Sequence, residues 1–188
     1  MKKLCLLLAV LLALSLCACR GQETDEEEAP LSVDQALEEA LEALTNGACE
    51  KACMIGADGS LTFPQNTGLA AILSSYSTYE IGQVKADGDK ATATVTITAP
   101  DSVTILKQVM EVSDDPASEE FAQKLTEILE NDPPMLDFTV EVQLQQTQEG
   151  WGIVPSFELS NALSGGLAEE YQKLYEGLMD GMLEGGEQ

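Results

Sequence analysis

The chain has no histidine, few basic residues and few aromatic residues. Its 188 residues include nine lysines and arginines, four tyrosines, four phenylalanines and one tryptophan. The absence of histidine removes the commonest general base and the commonest metal ligand. The sequence also contains no Gly-x-Ser-x-Gly, no phosphate-binding glycine loop and no complete calcium loop. We therefore predict no catalytic residues, no metal site and no cofactor, and we expect that the protein is not an enzyme.

Positive charge is scarce relative to negative charge. Nine basic residues stand against 33 acidic ones, which gives a formal net charge of −24 at pH 7. Such a surface repels phosphate backbones and anionic headgroups. The composition therefore argues against a nucleic-acid partner.

The chain opens with the pattern of an export signal. Lys2 and Lys3 precede an apolar run over residues 4–16, and small residues follow near Cys19. The run is too short for a spanning helix, which needs about 20 apolar residues. Residues 1–18 are thus predicted to be a signal peptide, and an ordinary secretory signal with incidental cysteines is the alternative.

The end of this run resembles the lipobox of bacterial lipoproteins, Leu16-Cys17-Ala18-Cys19. In that family a peptidase cuts before a cysteine that carries lipid. Cys19 fits this role because the small Ala18 precedes it, whereas cleavage before Cys17 would place Leu16 at that position. The resemblance implies a protein anchored to the membrane through lipid on Cys19, with its domain on the extracytoplasmic face.

Residues 19–30 are predicted to be an acidic tether. They include Glu26-Glu27-Glu28 and show no apolar periodicity, which is typical of a disordered spacer. Two of the nine basic residues lie in the signal peptide, so the mature chain keeps seven against 33 acidic ones. Residues 31–188 have a suitable length for a single domain with a hydrophobic core.

Cys49 and Cys53 are the two cysteines left in this domain. Side chains four residues apart share a helix face, at a separation that a disulfide can bridge when the segment is frayed or looped. An extracytoplasmic setting permits the bond. We predict a disulfide between them, with free buried thiols as the next alternative. A zinc site would need four ligands and is least expected.

The apolar patterns alternate between helix and strand. Ser32 and Gln35 form a predicted capping box for a first helix, and Asp87-Gly88 is the predicted turn of a hairpin. Residues 136–144 alternate strictly and predict the strongest strand. Two helices are predicted within residues 101–131, the second capped at Asp115-Pro116, and a long C-terminal helix closes the chain. Six aromatic residues were assigned to the core rather than to a pocket: Tyr76, Tyr79, Trp151, Phe157, Tyr171 and Tyr175.

The predicted fold is α+β, with a curved antiparallel sheet of about four strands packed against the N-terminal helix. The segments Glu149-Gly150-Trp151-Gly152-Ile153 and Asn161–Gly166 resemble the strand end and closing segment of cystatin-like and nuclear-transport-factor-like domains. Such domains recur in lipoproteins of unknown function from Gram-positive bacteria. The resemblance implies a concave sheet face that forms a ligand pocket or a dimer face. It carries over no catalytic residue, and the helical insertion at 101–131 and the long closing helix depart from it.

Three functions follow as hypotheses. The first is a non-catalytic module that binds a small ligand or a protein partner outside the membrane. The second is a structural envelope protein that oligomerises through the closing helix. The third is an enzyme that uses buried carboxylates, for which Asp137 and Glu141 are the candidates, although both lie on the polar register of their strand.

Overall fold

The structure is a computed structural model, and it describes residues 31–48, 51–62 and 68–184. Within these ranges the chain forms an α+β arrangement. Its six helices are α1 (Val33–Thr45), α2 (Leu69–Ser74), α3 (Ser102–Met110), α4 (Glu119–Glu130), α5 (Phe157–Leu163) and α6 (Leu167–Glu184). Its six strands are β1 (Met54–Ile55), β2 (Leu61–Thr62), β3 (Thr78–Asp87), β4 (Lys90–Pro100), β5 (Met135–Gln146) and β6 (Trp151–Val154).

The strands form one sheet in the order β2-β1-β6-β5-β4-β3. Neighbours are antiparallel except β1 and β6, which pair in parallel through Met54 and Ile153. The α+β class is confirmed, but the prediction of about four strands, all antiparallel, is wrong. The two added strands are two residues long, too short for the alternation by which a strand is recognised in a sequence.

β3 is an edge strand of this sheet. It pairs with β4 on one side from Thr78 to Asp87, and a bulge interrupts the register between Ile81 and Val84. The predicted hairpin is confirmed, with its turn one residue later than predicted: Asp87 pairs with Lys90 in the ladder, and Gly88, with φ 64°, begins the two-residue turn. A left-handed conformation of this kind suits glycine in a two-residue hairpin turn.

Helix α1 covers one face of the sheet. Its capping box forms as predicted: Gln35 N donates to Ser32 Oγ and Ser32 N donates to Gln35 Oε1. Leu37 and Leu41 are fully buried, and they belong to the same hydrophobic cluster as the inward residues of β4, β5 and β6. Burying a leucine stabilises the fold by about 1.5–3 kcal/mol. The apolar face of α1, which repeats every 3.6 residues, thus packs against the apolar face of the strands, which repeats every two residues.

A second, smaller cluster joins the helices outside the sheet. It contains Leu73 of α2, Ile105 and Val109 of α3, and Phe121, Leu125 and Leu129 of α4. Met110 of α3 is 59% exposed, whereas Ile105 is buried. One prediction is corrected here. The cap of α4 is Ser118, whose Oγ accepts from Phe121 N, because the Asp115 carboxylate is taken by Ala117 N in the preceding turn.

The C-terminal helix is divided in two by Gly165 and Gly166. Both have positive φ, at 58° and 84°, which ends α5 and lets the chain turn into α6. Gly165 lies so close to the backbone that an added Cβ would stand 1.8 Å from the Pro100 carbonyl oxygen. The predicted long C-terminal helix is therefore two helices, and the double glycine precedes the start of α6.

Gly152 should be sensitive to the smallest side chain. A Cβ there would lie 2.5 Å from Leu61 Cδ2 and 2.8 Å from Ile55 Cδ1. We expect Gly152→Ala to lower the free energy of unfolding by about 1–3 kcal/mol, measured by urea denaturation. Gly177→Ala is the control, because its Cβ would meet nothing within 4 Å. An equal stability of Gly152→Ala and wild type would contradict the packing of β1 and β2 on β6.

Candidate functional site

The residues singled out from the sequence are only partly within the described ranges. The proposed lipid site Cys19 and the first member of the predicted disulfide, Cys49, lie outside them. Cys53 is described, is half-buried and carries a free thiol in this structure. The disulfide with Cys49 therefore stays a prediction.

The Cys53 thiol lies in an environment that disfavours its charged form. Burial is the main cause that raises its pKa, and the negative charge of Glu39 raises it further. A raised pKa leaves less thiolate, which is the nucleophile and the metal ligand. Cys53 therefore lacks the electropositive surroundings of a reactive cysteine.

Asp137 and Glu141 face solvent, as the alternation of their strand predicted. Both are exposed, and the Asp137 carboxylate accepts a hydrogen bond of 2.7 Å from the Thr98 hydroxyl. Neither carboxylate is buried in apolar surroundings, which is the usual environment of a catalytic acid. The hypothesis of an enzyme with buried carboxylates gains no support from these two residues.

The face of the sheet expected to be a ligand pocket or dimer face is filled. Its apolar side chains pack against α1 and α5 in the main hydrophobic cluster. The opposite face is polar and accessible, with Thr94, Thr139 and Gln143 exposed along β4 and β5. Ligand-sized space therefore lies away from the filled face of the sheet.

One such space is a cavity of about 420 Å³ between the C-terminal half of α1 and the start of β3. We call it the α1–β3 cavity. It is lined by Glu38, Glu42, Thr45, Asn46, Ser77, Thr78 and Tyr79. The volume falls in the range of small-molecule sites.

The α1–β3 cavity is strongly acidic. Glu38 and Glu42 lie one helical turn apart on the exposed side of α1, and the last turn of α1 has no basic residue. The C-terminal end of a helix itself carries partial negative charge. Tyr79 completes the wall: its hydroxyl donates to the Glu38 carbonyl oxygen at 3.4 Å, and its pKa is raised by burial and by the charges of Glu38 and Glu42.

Ser77 is among the residues that line this cavity, but its hydroxyl oxygen has less than 1 Å² of accessible surface. The residue is 7% exposed, and its Oγ has no hydrogen-bond partner among the described residues. Its backbone N–H is satisfied by the Ser74 carbonyl oxygen at 3.0 Å. An unsatisfied buried hydroxyl costs about 1–3 kcal/mol. The domain thus carries an acceptor that nothing in its described part uses.

Two other cavities are also acidic, but Ser77 does not line them. One of about 320 Å³ adjoins the first and is lined by Glu39, Glu42 and Lys51 among others. The second, about 520 Å³, runs along α4 and is lined by Glu119, Glu127 and Glu130. Neither contains Ser77, whose hydroxyl is the buried side-chain group without a partner in the described ranges.

The α1–β3 cavity was not predicted from the sequence. Glutamates on the polar side of an amphipathic helix usually face solvent and have no further role. A signal was present in the pair Glu38 and Glu42 at a helix end without a compensating lysine or arginine. The third partner, Ser77, is separated from Glu42 by a long stretch of chain, so only the fold brings them together.

A different surface lies on α6, where large apolar side chains are exposed. Tyr171 is 66% exposed, Leu174 61%, Tyr175 64% and Met179 42%. The assignment of Tyr171 and Tyr175 to the core is therefore wrong, as it is for Phe157 at 46% and Tyr76 at 38%. Trp151 is buried as expected, and Tyr79 is half-buried. We call Tyr171, Leu174, Tyr175 and Met179 the α6 stripe.

The described ranges contain neither a metal site nor a helix that could span a membrane. Residues 31–48, 51–62 and 68–184 contain no group of three or more acidic or cysteine side chains placed to hold a metal ion. Across the same ranges, no helix combines the length and the apolar character that crossing a bilayer requires.

Comparison with known proteins adds no relative. No family model, curated protein or solved structure matches this chain. The function proposed below therefore rests on the residues of this chain and their contacts.

Cys53 should react slowly with thiol reagents at neutral pH. In a Cys49→Ser variant, which excludes the predicted disulfide, we expect the labelling rate by a maleimide to rise at higher pH than for a free cysteine peptide, because the Cys53 pKa is raised. Glu39→Gln should move this pH profile downward by removing one cause of the shift. A profile equal to that of the peptide would contradict the burial of the thiol.

Proposed function

We propose that this protein is a lipid-anchored, extracytoplasmic lipoprotein whose domain is a non-catalytic interaction module. The single observation that carries the interaction role is the α6 stripe. Exposed apolar side chains are common singly, but a contiguous group of four on one helix is typical of a contact surface. The lipid anchor on Cys19 and the acidic tether over 19–30 are part of the same proposal and rest on the sequence.

The occupant of the α6 stripe is a protein partner with an apolar groove bordered by lysine or arginine. The stripe is flanked on α6 by Glu169, Glu170 and Glu176, and Lys173 is the helix's basic residue, already paired with the first two glutamates. An apolar helix face with acidic flanks fits a hydrophobic groove with a basic rim. Two copies of this acidic chain repel each other, which disfavours self-association.

The cystatin-like resemblance belongs to this proposal as well. Support for it comes from the N-terminal helix packed across an antiparallel part of the sheet, the arrangement that the resemblance implies. Because the sheet face that packs against α1 is filled, the binding surface in this proposal lies elsewhere. The contact surface is then α6, the long closing helix that departs from the family pattern.

Lipid attachment is tested by replacing each cysteine of the lipobox in turn. We expect Cys19→Ser to lose incorporation of a labelled fatty acid and to lose the membrane fraction in a bacterial host. Cys17→Ser is the matched control and should retain both, because the small Ala18 still precedes Cys19. Retained lipid in Cys19→Ser would contradict the anchor.

The α6 stripe is tested by a change that removes apolar surface and keeps the helix. Leu174→Gln preserves helix propensity and side-chain length but should weaken partner binding at least about tenfold. The measurement is crosslinking in the native host with quantification of the crosslinked partner by mass spectrometry. Gln172→Ala on the same helix is the control. Undiminished crosslinking of Leu174→Gln would contradict the role of the stripe.

Oligomerisation through the same helix is the second candidate function. The apolar steps that form the stripe, with spacing three and four, also suit pairing with another copy. Sedimentation of the purified protein distinguishes the two: a monomer that crosslinks to another protein supports the interaction module. A stable oligomer that Leu174→Gln dissociates supports the structural role.

A further inference from the structure

We propose that α6 docks as a single helix into an apolar, basic-rimmed groove of a partner protein, and that this groove, rather than the rest of the domain, supplies the packing that keeps most of α6 helical. The inference rests on the proposed function of the α6 stripe and goes a step further, because it states how the stripe is recognised. It makes the helical order of α6 a determinant of affinity.

The base of α6 is fixed to the domain. The backbone N–H of Glu169 donates at 2.9 Å to Oδ1 of Asn161, a buried residue, and the backbone N–H of Ala168 donates at 3.2 Å to Oγ of Ser164. These bonds satisfy two of the N–H groups that a helix leaves free at its start. The domain therefore sets where α6 begins.

Beyond its base, α6 is exposed on every side. All residues from Glu169 to Gly177 are exposed, and so is Met179. These nine consecutive residues make about two and a half turns, so they include both the apolar and the polar side of the helix. In α1, by contrast, seven of 13 residues are buried. No described segment therefore covers this stretch of α6.

A helix without such cover has little to stabilise it. Most of the stability of a helix in a protein comes from the packing of its apolar side rather than from helix propensity. Gly177 and Gly181 lower the propensity of α6, and its last turn has no basic residue to compensate the helix dipole. The exposed hydrogen bond from Gln172 to Glu176 stabilises the helix only slightly. Packing by a partner is the missing contribution.

The stripe and its border define the groove. Tyr171, Leu174 and Tyr175 recur at steps of three and one, on the same side of the helix, and Met179 extends the series by a further turn, which is the spacing of anchors in a helix-in-groove contact. At 1.5 Å per residue the stripe is about 12 Å long. Its glutamate border favours lysine or arginine on the rim, because Lys173 already pairs within α6. A second copy of this acidic chain lacks that complementarity.

Exchange of alanine and glycine on the polar side of α6 tests the ordering without changing the contact. Gln172→Ala and Gln172→Gly lose the same side-chain amide and differ in helix propensity. Gly177 and its Gly177→Ala variant form a second pair, and the added Cβ would meet nothing within 4 Å. When the free helix is only partly formed, alanine raises the fraction that is ready to bind. A fully formed helix would gain nothing from it.

Binding is measured with the full-length chain in its native host, as the yield of crosslinked partner quantified by mass spectrometry at limiting expression. At positions 172 and 177 we expect about twofold to fivefold more crosslinked partner with alanine than with glycine. Leu174→Gln, measured in the same cells, reports on the stripe itself. Equal yields for alanine and glycine at both positions overturn the proposal, and so does a crosslinked product that contains only a second copy of this chain.

Hydrogen exchange of the purified full-length protein measures the order of α6 without a partner. We expect the backbone amides of residues 172–184 to exchange within about tenfold of the rate of an unstructured chain, and those of Leu37 and Leu41 in α1 to exchange far more slowly. Gly177→Ala should slow exchange in α6 by about twofold to fivefold and leave α1 unchanged. Amides of α6 that are protected as strongly as those of α1 would contradict the proposal.

The two proposals fail in different ways. A loss of crosslinking in Leu174→Gln, with equal yields in the alanine and glycine pairs, keeps the stripe as a contact surface and overturns its dependence on helix order. Undiminished crosslinking in Leu174→Gln overturns the contact surface and with it this inference, whatever the exchange rates of α6 are.

Discussion

The fold depends on the burial of α1 against the sheet. Leu37 and Leu41 have no exposed surface, and they meet inward residues such as Val95 and Ile97 that are equally buried. The alanines that flank these residues on β4 have small side chains, so that helix and sheet approach closely. Because this contact fixes which side of α1 faces inward, it also fixes that Glu38 and Glu42 face outward, at the opening beside β3.

This packing leaves two unlike regions on the surface of the domain. The α1–β3 cavity is acidic and largely open to solvent. The α6 stripe is apolar and open, which suits a broad contact. Binding at the two regions would depend on different interactions, since electrostatic attraction weakens with salt whereas burial of apolar surface does not. Both belong to one chain with a large negative charge, which acts over a longer distance than either contact.

The sequence was sufficient for features that depend on neighbouring residues. The capping box of Ser32 and Gln35, the hairpin turn at Gly88 and the alternation of β5 were predicted because each signal lies within a few residues. It was not sufficient for features that depend on contacts between segments distant in the sequence. Strands β1 and β2 have two residues each: β1 pairs with β6, and β2 pairs with β1. The cavity has Ser77 and Glu42 in one wall lining, and Tyr171 is exposed because no described segment covers it. Neither feature has a local pattern in the sequence.

The bulge in β3 has a consequence for copies held close together. A lipid anchor, as proposed, confines molecules to two dimensions, where encounters between neighbours are frequent. A long edge strand with free backbone groups would then join copies edge to edge. The bulge between Ile81 and Val84 breaks the regular spacing of those groups, and Glu80 and Lys85 add charge on either side of it. On the proposed anchor, this irregular edge would oppose edge-to-edge joining of neighbouring copies.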